Sequence, residues 1–355
     1  MKNDEDFIAP GSTIGILGGG QLGKMLCIAA ARLGYKTHVY TDKQNECALD
    51  VATNKTVGSY DSESALKLFA ETCHVVTFEF ENIPAQVHKV IEGVGILIFP
   101  NQQALAVSQD RRREKLLAHE LGIETADFRF ILKAEDAKAV KSFPIILKTV
   151  SGGYDGHGQV RIHSEKELKE QWEGMGSLPC VAESIVDYEF EFSVICARNR
   201  KGELDFYSPF VNVHENGILR ETFWPSDRFS SDMVDRAFCV AKKIVEKLDV
   251  VGLLAVEMFY ARDGRIIFNE IAPRPHNSGH ITIDCAETDQ FEQHIRAICG
   301  WPLGSTRPKA RGRMLNFIGD YDLLKKVQRD PRVKIHLYGK KPRPGRKLGH
   351  VTILR

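Results

Sequence analysis

The first regular pattern in the chain is "TIGIL", a short β-branched apolar run that passes directly into "GGGQLG". "QLGKMLCIAAARLG" then carries apolar residues at helical spacing, and "YKTHVYTD" returns to a strand pattern. "HVVTFEFE" and "GILIFP" read as two further strands, with helical patterns between them. Strands alternating with helices predict a parallel α/β sheet, and this first unit extends to about Ser108.

The pattern then changes. "QDRRREKLLAHELGI" is a charged helix ending at Gly122. "PIILKTV" and "QVRIH" are strands on either side of the glycine-rich "SGGYDGHGQ", and "SEKELKEQW" is a helix. "PCVAESIVDYEFEFSVICAR" is rich in strand residues. Asn216-Gly217 and Asp263-Gly264 are hairpin turns, since glycine tolerates positive φ. The tail "YGKKPRPGRKLGHVTILR" is basic and broken by proline and glycine.

A chain of 355 residues suggests two or three domains. Its net charge of +1 supplies no global field for nucleic acid or an acidic membrane, and neither is expected as a partner. The eight cysteines are scattered and never form C-x-x-C, so they read as buried thiols of a reducing compartment. "MKNDEDFIAPGS" lacks an apolar segment and does not resemble a signal peptide. "VVGLLAVEMFYA" is too short to span a bilayer and carries Glu257. A soluble, cytoplasmic protein is expected.

Four stretches can carry chemistry. Gly18, Gly20 and Gly23 form G-x-G-x-x-G between a strand and a helix, with Asp42 at the end of the next strand, as in dinucleotide sites. Tight packing or another anion would use the same glycines. A two-residue turn at Asp263-Gly264 would set Glu257 directly opposite Glu270 on one face, with Cβ atoms about 5 Å apart. Paired like charges in an apolar setting call for a divalent cation, and oxygen-only ligands favour Mg²⁺ or Mn²⁺. Lys148 ends a strand beside "SGGYDGHGQ", whose backbone amides could wrap phosphate oxygens. "HNSGH" places His276 and His280 four apart, but Pro273, Pro275 and Gly279 argue against a helical zinc site and favour hydrogen-bonding loop histidines. Carboxylates, a strand lysine and a glycine lid together point to ATP used in phosphoryl transfer.

"GGGQLGKML", "TFEFENIP", "SGGYDGHGQ", "VEMF", "NEIAPRPHNSGH" and "RPGRKLGH", in this order, resemble the 5-(carboxyamino)imidazole ribonucleotide synthase family of ATP-grasp enzymes over nearly the whole chain. The resemblance implies a mixed α/β and α+β protein with an ATP-grasp fold. Residues 1–108 would be a Rossmann-like parallel-sheet domain, 109–182 a small lid subdomain, 183–301 a large subdomain with the metal site, and 302–355 a small C-terminal lobe. It implies an ATP- and bicarbonate-dependent carboxylation of the exocyclic amine of aminoimidazole ribonucleotide through carboxyphosphate, and commonly a homodimer.

Site residues follow by motif. Arg111 and Lys148 would touch ATP phosphates under a lid of Gly153, Gly156, Gly158 and Gln159. Glu183, Ser184, Ile185 and Val186 would form the adenine hinge. Glu191 would bind the ribose, with His214 and Asn269 in the same ATP site and Glu257 and Glu270 as Mg²⁺ ligands. Asp155, Tyr154 and Arg274 would be catalytic. Gln21, Glu79, Asn277, Ser278, Lys340, Arg346 and Lys347 would hold the ribonucleotide, the basic tail taking its phosphate. The glycine loop Gly18–Gly23 would border this second substrate and carry no dinucleotide. Two features depart from the family. His157 stands where arginine or lysine is usual, making a contact that is weaker or pH-dependent near ~6.5. The chain also stops soon after "GRKLGHVTIL", where relatives continue into a helix. Rival readings are another ATP-grasp carboxylase or transformylase, an NAD-dependent oxidoreductase read from "GGGQLG", and a non-catalytic nucleotide-binding protein.

Overall fold

The structure is a computed structural model that describes residues 7–153 and 158–355. Its strands form three sheets. The first contains β1 (Thr13–Leu17), β2 (Lys36–Thr41), β3 (Asn54–Val57) and β4 (Val75–Phe78), all parallel, in the order β3-β2-β1-β4. Every residue of β1 is buried, as expected of a central parallel strand covered on both faces. "GILIFP" is not a fifth strand. It makes a single parallel bridge, Ile98 to Val76, because only the Leu97 carbonyl and the Phe99 amide reach the backbone of β4.

The second sheet holds β5 (Phe128–Ile131), β6 (Ile145–Thr149), β7 (Gln159–Ile162) and β8 (Cys180–Ser184), antiparallel in the order β5-β8-β6-β7. Leu168 and Trp172 of the helix Glu165–Gly174 cover it and pack with Ile131, Leu147 and Ile162.

The third sheet has nine strands: β9 (Tyr188–Arg198), β10 (Leu204–Phe206), β11 (Phe210–Glu215), β12 (Ile218–Trp224), β13 (Gly252–Ala261), β14 (Ile266–Ala272), β15 (Gly312–Ile318), β16 (Val333–Leu337) and β17 (Lys347–Leu354). Their order is β14-β13-β9-β11-β12-β15-β17-β16, with β10 on β9. The C-terminal stretch therefore continues the sheet of the preceding segment, through pairs such as Glu221–Leu315 between β12 and β15.

The Asn216-Gly217 hairpin is a two-residue turn closed by Glu215 and Ile218. Both turn residues have positive φ, 52° and 77°, as a type I′ turn demands. The helix Gln290–Ile298 joins the first sheet to the third. Its Phe291, Ile295 and Ile298 share one buried cluster with Met25, Leu26 and Ala29 of α1 (Gln21–Arg32). Burial of each large side chain contributes about 1.5–3 kcal/mol. Seven of the eight cysteines are buried and Cys239 is exposed, all as free thiols. Among the described residues no helix is long and apolar enough to cross a membrane.

Candidate functional site

A cleft of about 870 Å³ lies where the three sheets meet. At its first wall, the glycine loop between β1 and α1 is already occupied by the protein's own anion. Glu79, just beyond β4, accepts hydrogen bonds from the amides of Gly20 and of Gly23, the latter at 2.8 Å. These amides open α1, where a dinucleotide's pyrophosphate would otherwise sit. A Cβ on Gly23 would come within 2.9 Å of the Gly18 carbonyl, so that position needs glycine, and one on Gly20 would come within 2.5 Å of Glu79 Oε1 and push the carboxylate off the amides. Burial raises the Glu79 pKa, and the two amides and Lys340 oppose that rise. Asp42 is exposed and does not line the cleft. Lys340 donates instead to Gln21 Oε1 at the same wall, and burial lowers its pKa.

The second wall carries a buried charge triad. Lys148 on β6 donates to Glu183 Oε2 on β8 at 2.9 Å and to Asn269 Oδ1 at 3.3 Å. Lys115, from the helix Arg111–Glu120, lies 3.2 Å from Glu183 Oε1, within ion-pair reach but off hydrogen-bond geometry. Lys115, Lys148 and Glu183 are 1%, 8% and 4% exposed. Burial penalises the Glu183 carboxylate, but Lys148 and Lys115 outweigh it and hold its pKa at about 2. Lys115 is pushed down, by burial and by Lys148, because two cations share one anion.

The third wall is the β13–β14 hairpin. Glu257 does face Glu270, but by a different route from the two-residue turn expected at Asp263-Gly264. Ala261 donates to the Arg265 carbonyl, so the loop holds three residues. The pairs Tyr260–Ile266, Phe259–Ile267 and Met258–Phe268 are accordingly offset by one. A bulge between Glu257 and Met258 leaves Asn269 as an extra residue on β14 and restores the offset, giving Glu257–Glu270 and Val256–Ile271. Asn269 and Glu270 consequently both line the cleft, although they are adjacent on one strand. Arg111 donates to Glu270 Oε2 at 2.8 Å, and Glu257 Oε1 lies 2.8 Å from His276 Nε2. Burial disfavours the Glu257 carboxylate, yet His276, His214 and Arg274 hold its pKa well below the usual range.

Further along, Glu191 takes a hydrogen bond from Tyr188 at 2.7 Å and an ion pair from His214. Burial lowers the His214 pKa, and Glu191 and Glu257 outweigh it to give a net rise. Arg274 donates to Glu81 at 2.5 Å. Asn277 is 9% exposed, lines the cleft, and neither amide atom has a partner among the described residues.

Gly153, Gln159, Ser184, Ile185, Val186 and Lys347 also line the cleft. Three expected contacts do not. Ser278 is fully buried behind the wall, hydrogen-bonded to Ser193 and His276. Arg346 turns its guanidinium back onto the Lys341 carbonyl at 3.4 Å. Gly158 closes the base of its loop, its carbonyl accepting from the Thr149 amide at 2.8 Å. Tyr154, Asp155, Gly156 and His157 lie outside the described residues. The sequence reading passed over Lys115, Glu114 and Glu81. Glu114 and Lys115 sit inside a charged run, but they share the buried face of their helix with Leu117 and Ala118, and that spacing was the available signal. His276 and His280, read as loop histidines, have separate partners, Glu257 and Gln290.

The chain matches three family models in succession: the ribonucleotide synthetase preATP-grasp domain over residues 12–109, the ATP-grasp domain over 116–291, and the phosphoribosylaminoimidazole carboxylase C-terminal domain over 313–355. It is 41% identical to the N5-carboxyaminoimidazole ribonucleotide synthase of Brucella melitensis, with 99% of each chain covered. The chain belongs to the N5-carboxyaminoimidazole ribonucleotide synthase family. The Bacillus subtilis synthase of that name is 38% identical, covering 99% of this chain and 93% of its own. A solved synthetase of the family in its ADP complex superposes with a TM-score of 0.93 at 41% identity, over 98% of this chain and 94% of that one. The Aspergillus clavatus synthase, in complex with ADP and 5-aminoimidazole ribonucleotide, gives 0.90 at 30% identity over 97% and 94%. The fold is the ATP-grasp fold of this family, with its parallel-sheet N-terminal domain.

Proposed function

We propose that the cleft carboxylates the exocyclic amine of 5-aminoimidazole ribonucleotide at the expense of ATP, and that the residues placed above divide the work. The chain is an ATP-grasp ligase of purine biosynthesis. One observation supports this division best: a single cleft is lined by Lys148, by the facing pair Glu257 and Glu270, and by Lys340. Lys148, held by Glu183, takes the ATP phosphates, and the segment Glu183–Val186 takes the adenine. Glu191, beside His214, binds the ribose. Lys340, Lys347 and Gln21 take the ribonucleotide, with Asn277 offering an unpaired amide to it. Arg274, steered by Glu81, and the loop residues Asp155 and Tyr154 attend the amine and the carboxyl donor.

Glu257, Glu270 and Asn269 present only oxygen donors on one rim, a set that fits Mg²⁺ or Mn²⁺ shared with phosphates. A bound cation would neutralise charge developing on the transferred phosphoryl group. The protein's own part is to aim these donors, to anchor Lys148 on Glu183, and to present bicarbonate and amine to one another.

ADP release should require the ribonucleotide and bicarbonate together, and should fall ~10–100-fold in Glu270→Gln with a raised Mg²⁺ requirement. ATP turnover that ignores the ribonucleotide would refute the substrate assignment. Full activity of Glu270→Gln would refute the metal assignment.

A further inference from the structure

Beneath Glu257 the sheet carries a row of buried polar side chains that none of the roles above employs. The register places Ser193 of β9 opposite Glu257, Asn212 of β11 opposite Glu191, and Thr222 of β12 opposite Asn212. All three are nearly or fully inaccessible: Ser193 and Thr222 are 0% exposed and Asn212 is 4%. They form one hydrogen-bonded line. Thr222 Oγ donates to Asn212 Oδ1 at 3.1 Å, and Asn212 Nδ2 donates to Ser193 Oγ at 3.1 Å. Ser193 Oγ lies 2.7 Å from Ser278 Oγ, which lies 2.8 Å from His276 Nδ1. His276 Nε2 ends the line on Glu257. Gln290 clamps the His276 backbone from the side, donating to its carbonyl at 2.7 Å and accepting from its amide at 2.9 Å.

The direction of the line follows from donor chemistry. The Ser278 backbone amide points at His276 Nδ1 at 3.4 Å and can only donate, so Nδ1 accepts. The ring proton then sits on Nε2, facing a carboxylate that can only accept. Ser278 donates to the ring, Ser193 to Ser278, and the Asn212 amide to Ser193. Each of the two serine hydroxyls gives one hydrogen bond and takes one.

We propose that Thr222, Asn212, Ser193 and Ser278 are positioning residues that hold the ring of His276, in its Nε2–H tautomer, where it donates to Glu257 and fixes the orientation of that carboxylate toward the cation. The cation half of this proposal rests on the reading of Glu257 as a metal ligand; the tautomer half does not. Groups that hold a metal ligand from behind are commonly worth 10–100-fold in metal affinity or activity. A filler role would give no reason for a single direction along five side chains.

The test uses the full chain labelled with ¹⁵N-histidine, without metal, in long-range ¹H–¹⁵N correlation at neutral pH, with His276 assigned by its loss in His276→Gln. The wild type should show a protonated Nε2 and a bare Nδ1. Ser278→Ala keeps the backbone amide on Nδ1 but loses the 2.8 Å hydroxyl donor, so the Nδ1 resonance should move while the Nε2–H tautomer stays, and its Mg²⁺ concentration for half-maximal ADP release should rise ~10-fold with a smaller change in kcat. Ser193→Ala, one step further back, should shift both readouts the same way and serves if Ser278→Ala does not fold. A protonated Nδ1 in the wild type, or an Nδ1 resonance and Mg²⁺ requirement unmoved in both variants, overturns the relay. An unchanged Mg²⁺ requirement in Glu257→Gln overturns the metal reading and leaves the tautomer result to stand by itself.

Discussion

Replacing Glu183 by Gln tests whether the buried triad is an electrostatic unit. The variant keeps the shape and one acceptor oxygen, but removes the single anion between Lys148 and Lys115. The drop of the Glu183 pKa from 4.5 to about 2 corresponds to about 3 kcal/mol of stability at neutral pH, at ~1.4 kcal/mol per pH unit. Losing one partner of a buried pair costs a similar ~3–5 kcal/mol, because a buried charge is left uncompensated. Lys115 works the other way, its charge being disfavoured by burial and by Lys148, so the triad as a whole stabilises less than Glu183 alone suggests. Urea unfolding followed by tryptophan fluorescence at neutral pH should place Glu183→Gln about 3 kcal/mol below the wild type. Adding Lys115→Met should recover part of that loss, since the stranded cation goes with it. The pH dependence has a defined sign. A carboxylate with a depressed folded pKa contributes its stability above the unfolded value of 4.5 and loses it as pH falls toward about 2. The difference between wild type and variant should therefore shrink over that window. A variant within about 0.5 kcal/mol of the wild type at neutral pH would refute the triad's electrostatic role.

Two further outcomes bear on catalysis. Asp155→Asn should leave ATP affinity unchanged in calorimetry while carboxylation of the ribonucleotide is lost; an equal loss of nucleotide affinity would move Asp155 into the ATP site. Deleting Asn269 should close the bulge on β14 with Glu270 still opposite Glu257, but should remove the carboxamide that accepts from Lys148, lowering ATP turnover ~10–100-fold with a native circular dichroism spectrum. Full turnover in that deletion would mean that the Asn269 carboxamide takes no part in the cleft.

Much of the local structure was legible because its causes are local. "TIGIL" forms β1 with the boundaries its pattern suggests, and Asn216-Gly217 makes the turn its positive φ angles permit. The charged helix stops at Glu120, just before Gly122 at φ 64°. Less legible were features set by distant partners. "GILIFP" has a strand's composition but only one bridging residue beside β4. The C-terminal strands gave no sign that β15 would pair with β12, since that pairing spans about ninety residues and leaves no periodic trace. The glycine loop looked like a dinucleotide site because glycine spacing reports the turn and not what fills it. Only the structure shows Glu79 on the amides of Gly20 and Gly23.

The β13–β14 hairpin shows how a facing pair of residues can be read correctly from a premise that fails. The turn holds one residue more than Asp263-Gly264 implied, which by itself would have slid Glu270 out of register with Glu257 and onto the opposite face. Asn269 inserts a second one-residue deviation that cancels the first. Neither deviation is visible in composition, because each is a choice of backbone path among near-equal alternatives. Together they bring Glu257, Asn269 and Glu270 to one rim, where a regular ladder would alternate Asn269 and Glu270 between faces. An interrupted ladder is a local cost in stability, and it sits where Glu257, Asn269 and Glu270 line the cleft together. A regular hairpin would restore the lost ladder pairing at the expense of that convergence, so the bulge is best understood as a feature of the site and not of the fold.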